Sequence, residues 1–71
     1  MPCVNPDGTL TDSAQALLRL LDNPVTPEEI ARQLDRPLFS VRASLRELVG
    51  ADLVRAEGGQ YVITARGRSR A

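Results

Sequence analysis

Histidine is missing from this chain of 71 residues, and cysteine occurs once, at Cys3. These shortages remove the usual proton shuttle at neutral pH and leave too few ligands for a protein zinc site. One thiol builds no disulfide framework. It suits a reducing compartment, and with nothing basic beside it to lower its pKa, Cys3 reads as a bystander. Lysine is absent too, so all nine cationic side chains are arginine, balanced by nine carboxylates to a formal net charge of zero. No apolar run nears the roughly 20 residues that span a bilayer, and Met1 to Gly8 lacks the apolar stretch of a secretory signal. A cytoplasmic location is therefore expected. No nucleophile stands with a base, and no glycine loop fits a phosphate-cradling pattern: Asp7-Gly8 and Gly58-Gly59 are turn glycines. Glu28-Glu29 is explained by a helix N-terminus. Neither an enzyme nor a cofactor is expected.

What is present is an uneven charge distribution and a clear order of elements. Residues 1–35 carry a formal charge of −4 and residues 36–71 a charge of +4. A chain this short buries only about 60% of its unfolded surface, so a partner subunit would help it. Asn5-Pro6-Asp7-Gly8 is a turn signal within a flexible leader, 1–10. The domain proper spans 11–64. Thr11 is a good N-cap, and Ala14, Leu17, Leu18 and Leu21 fall on one apolar stripe. Leu20 and Ala16 lie off it, at the rim of a small core or against a second subunit. Pro24 ends this helix, and Val25 is expected to pair with the edge of a later hairpin.

Thr26 and Glu29 form a capping box with Pro27 at the first helical position, starting a helix that runs to Leu34. Asp35-Arg36-Pro37 is a tight turn. The helix from Leu38 to about Gly50 should bury Leu38, Val41, Leu45, Leu48 and Val49. Its outer face is then centred on Phe39, Ala43 and Arg46, flanked by Arg42 on one side and Ser40 and Glu47 on the other. Two placements are open for Phe39: outward as the wheel has it, or folded back onto the loop before the helix and into the core. Leu53 to Glu57 and Gln60 to Thr64 read as short strands around Gly58-Gly59, a type I′ hairpin turn. The remainder, 65–71, is a basic tail expected to be frayed.

Helix, tight turn, helix and glycine-turned hairpin is the order of a winged helix-turn-helix. The expected fold is α+β, with three helices and a short antiparallel hairpin wing. That order makes double-stranded DNA the expected partner. Arg42 and Arg46, one turn apart, would face the major groove, where arginine donates in a fork to guanine. Phe39, Ser40 and Ala43 lie beside them. Arg36 at the helix mouth and Arg55 on the hairpin would meet phosphate, and Ser44 would join Ser40 in bonding phosphate or a base edge. The short hairpin tip carries no cation.

From Thr26 to Thr64 the sequence resembles the winged-helix domains of bacterial and archaeal transcription regulators of the MarR/ArsR type. The resemblance rests on Thr26-Pro27-Glu28-Glu29-Ile30-Ala31-Arg32-Gln33-Leu34, on the apolar spine Val41, Leu45 and Leu48, and on Leu53-Val54. Tyr61-Val62-Ile63-Thr64, with Gly67 three residues later, is similar to the family's Y-x-L-T-x-x-G ending. Asp35 and Asp52 stand where that family usually has glycine. Aspartate tolerates the left-handed backbone those positions need. The resemblance implies a small DNA-binding transcription regulator reading the major groove with the 38–50 helix. A single neutral domain grips DNA weakly, so a homodimer is expected. The rival expectation is a protein-interaction or assembly module of the same fold, using Phe39, Ala43 and Leu20 as an apolar patch.

Overall fold

The computed structural model describes Asn5 and residues 9–70, and Cys3 lies outside them. The chain builds α1 (Asp12–Leu20), α2 (Pro27–Leu34), α3 (Leu38–Gly50), β1 (Val54–Glu57), β2 (Gln60–Ile63) and α4 (Ala65–Arg70). The first two helices start where their caps predict. Thr11 Oγ1 accepts from the Ala14 N–H at 3.2 Å, and Thr26 Oγ1 accepts from the Glu29 N–H at 3.2 Å. Only half of the expected capping box forms. The Glu29 carboxylate turns away from the cap to accept from Arg32 and from Gln33 Nε2 at 2.8 Å.

Two aspartates end helices in left-handed backbone. Asp35 has φ 53° and Asp52 has φ 63°. After α2 the Arg36 N–H donates to the Ala31 carbonyl, and after α3 the Leu53 N–H donates to the Leu48 carbonyl. These are the six-to-one bonds of a Schellman ending. The tight turn between α2 and α3 therefore forms without a glycine. Gly58 and Gly59 both have positive φ, as a type I′ turn requires. They bring β1 and β2 into antiparallel register, Val54 opposite Ile63 and Ala56 opposite Tyr61. Val25 exchanges both backbone hydrogen bonds with Tyr61, which makes it the expected third, one-residue strand.

The core forms where the apolar stripes of α1, α2 and α3 meet the inner face of the hairpin. Leu17, Leu18, Leu21, Ile30, Val41, Leu45 and Leu48 are fully buried, each contributing roughly 1.5–3 kcal/mol by leaving water. Leu10 is buried with them, so the part of the leader next to α1 belongs to the core. Leu20 is half-buried against this cluster. Three α3 positions depart from the sequence expectation, and the first is Leu38, half-buried instead of buried. Val49 is exposed rather than buried, and Ser44 is buried. Val49 falls on the stripe of Arg42 and Arg46, which faces Ala56 and Tyr61 of the hairpin instead of the core.

The basic tail is not frayed. It is a fourth helix, and the reason lies at Thr64 and Gly67. Thr64 Oγ1 donates to the Asp52 carbonyl at 2.8 Å and accepts from the Gly67 N–H at 3.0 Å. One hydroxyl thus joins the end of α3 to the start of α4. Gly67 lets α4 lie against the backbone at Leu53, and Arg68 reaches across to Asp22 at the end of α1, 2.8 Å away.

Candidate nucleic-acid interface

The second helix of the tight-turn unit, α3, shows solvent a mixed face. Phe39 is 77% exposed, and Ala43 and Arg46 follow it at one-turn spacings, also exposed. Arg46 has no ion-pair partner among the described residues. Arg42, one turn before it, lies 3.2 Å from Glu28 of α2, with both side chains more than half exposed. Exposed pairs of this kind contribute little.

Arg36 and the two serines behave differently from the sequence expectation. The Arg36 guanidinium donates to Ser40 Oγ at 2.7 Å and to Ser44 Oγ at 3.3 Å, so it lies along α3. Ser44 is 3% exposed and cannot reach a phosphate or a base edge. Its hydroxyl supports the helix from within. Ser40 remains half-buried at the rim of the exposed face. Arg36 thus braces the first turns of α3, which has Pro37 as its N-cap and no side-chain cap of its own.

The hairpin sorts its residues by alternation. Val54, Ala56, Tyr61 and Ile63 share the face towards α3, while Arg55 lies on the other face, 3.1 Å from Glu57. Arg55 therefore does not converge with Arg42 and Arg46. Tyr61 does. Arg42, Arg46, Val49, Ala56 and Tyr61 line a shallow groove of about 210 Å³ between α3 and the hairpin. Tyr61 did not figure among the sequence-derived site residues. The available signal was its parity with Ile63, which places both on the helix side of the strand.

Helix, left-handed turn, helix and a two-stranded wing define this as a winged helix-turn-helix protein. The chain belongs to the helix-turn-helix domain family, whose model matches residues 10–57. No curated protein sequence matches it significantly. Among solved structures it is similar to CalO1, a methyltransferase in calicheamicin biosynthesis, in its SAH-bound form, with TM-score 0.66 and 31% identity. That match covers 78% of this chain and 16% of CalO1. It is also similar to IdeR of T. acidophilum, with TM-score 0.64 and 25% identity over 83% of this chain and 30% of IdeR. The chain thus spans less than a third of either structure's length. The family and the IdeR likeness support a fold of the DNA-binding regulator type.

Proposed function

We propose that this chain is a small transcription-regulator-like module of the MarR/ArsR type. It binds double-stranded DNA with α3, works in the cytoplasm as a homodimer, and has no catalytic role of its own. The observation that carries this reading is the outer face of α3, where Phe39, Ala43 and Arg46 stand exposed on the second helix of a helix-turn-helix. A helix of this width enters the major groove, where an aromatic ring and a methyl group pack on thymine methyls and arginine donates to phosphate or guanine. Ser40 lies at the edge of that face, and Arg42 beside it. Arg36 contributes by holding the helix start in place.

A second reading, a protein-assembly module, is favoured by two observations. Net charge is zero, with Arg42, Arg55 and Arg68 each ion-paired. A similar module also occurs within the much longer chain of CalO1, a methyltransferase. Titrating a mixed-sequence duplex into isotope-labelled protein at low salt separates the two. DNA binding moves the amides of residues 36–46 and the hairpin, and added salt reverses the movement. Amides that stay still at near-millimolar duplex would leave the assembly module as the better account.

A further inference from the structure

We propose that the groove between α3 and the hairpin seats one phosphodiester of duplex DNA. Arg42 and Arg46 would neutralise its charge, and the Tyr61 hydroxyl would donate to a non-bridging oxygen. The proposal rests on the DNA-binding reading above and assigns the two arginines to the backbone instead of to base edges. A helix lying in a major groove is flanked by backbone, and here the hairpin stands on one flank. The strand on that side must pass between α3 and the hairpin.

The lining suits an anion. Arg42 and Arg46 lie one turn apart on one side of α3, and Val49 and Ala56 supply an apolar floor. Among the described residues, no carboxylate lines the groove. The Tyr61 hydroxyl has no hydrogen-bond partner among the described residues. Two other cavities do not share this character. One, of about 320 Å³, has the carboxylate of Asp22 in its lining beside Arg68, whereas Glu28, the exposed partner of Arg42, stands outside the groove. The other, of about 460 Å³, includes Asp52 beside Arg66 and Arg70. With the arginines on the backbone, sequence preference falls to Phe39 and Ala43, nearer the helix start.

Tyr61 is the sole tyrosine of the chain, so its ring resonances identify themselves. Wild-type protein, Tyr61→Phe and Arg46→Ala are titrated at low salt with two unrelated duplexes and, separately, with inorganic phosphate. The expected result is a shift of the Tyr61 ring signals with duplex. Tyr61→Phe, with unchanged amide spectrum, binds both duplexes about tenfold more weakly at the wild-type salt slope, since a hydrogen bond to a charged oxygen is lost and no charge is. Arg46→Ala weakens both duplexes alike and lowers the salt slope by about one. If duplex moves the Phe39 and Ala43 amides but not the Tyr61 ring, and Tyr61→Phe binds normally, the phosphate seat is wrong while DNA binding stands. A ring shift with inorganic phosphate but not with duplex would reassign the groove to a free anion and overturn the proposal. Duplex that moves nothing removes the DNA reading itself.

Discussion

A Cβ added to Gly67 would lie 2.2 Å from the Leu53 carbonyl oxygen and 2.7 Å from Ile63 Cγ1. The first neighbour is backbone and cannot swing aside, so Gly67→Ala must push α4 off the hairpin. We expect a loss of about 1–3 kcal/mol in denaturant unfolding, the usual cost of overpacking. Gly50 provides the contrast. A Cβ added there would meet nothing within 4 Å, and its φ is ordinary, so Gly50→Ala should gain about 0.4–1 kcal/mol by restricting the unfolded chain. Equal effects of the two substitutions would mean that α4 is not docked as described. Glu29 supplies a pH signature at the same scale. Hydrogen bonds from Arg32 and then Gln33 hold its carboxyl below the ordinary carboxylate value. A depressed folded pKa stabilises above the unfolded value, and the contribution is lost as pH falls through the folded one. Glu29→Gln should therefore lower stability slightly at neutral pH and leave acid stability nearly unchanged, flattening the acid limb that thermal melts across that range would register.

The elements differ in how far the sequence reveals them. Threonine caps, apolar spacing and the paired glycines locate α1, α2, α3 and the hairpin to within about a residue, because each signal acts locally. The fourth helix carries only one such signal, the Thr64 cap. Ala65 to Arg70 has no apolar stripe and a glycine in its middle. It is helical because Thr64 caps it locally, and because of two long-range facts: Gly67 permits its approach and Asp22 holds Arg68. The candidate site divides the same way. Helical spacing puts Phe39, Ala43 and Arg46 outward, as observed, whereas the inward turn of Ser44 and the meeting of Tyr61 with Arg42 depend on packing between elements. The helix endings yield a prediction of their own. Asp52 is held at positive φ with its carboxylate at the negative end of the α3 dipole, two unfavourable terms. Asp52→Gly relieves both and should stabilise the domain by about 1 kcal/mol, visible as a raised denaturation midpoint. A lower midpoint would mean that the Asp52 side chain makes a stabilising contact.

At the scale of the whole molecule, the charge distribution sets how DNA binding must respond to salt. The −4 and +4 halves cancel at long range, so steering towards DNA is weak and the affinity of one domain depends on short-range contacts. The cations nearest the exposed face of α3 are Arg42 and Arg46, while Arg55 lies across the hairpin and Arg68 is tied to Asp22. One domain therefore engages about two phosphates, and log K should fall against log salt with a slope of roughly −2. Two domains bound together on one duplex would double it to roughly −4. Fluorescence anisotropy across a salt series, combined with sedimentation of the free protein, reads both numbers. A slope near −4 with a dimer in free solution is the expected result for the homodimeric regulator. A slope near −2 with a monomer would keep α3 as the DNA-binding element and discard the dimer. A slope near zero would discard phosphate neutralisation, because each arginine that meets a phosphate on a duplex must release close to one counterion.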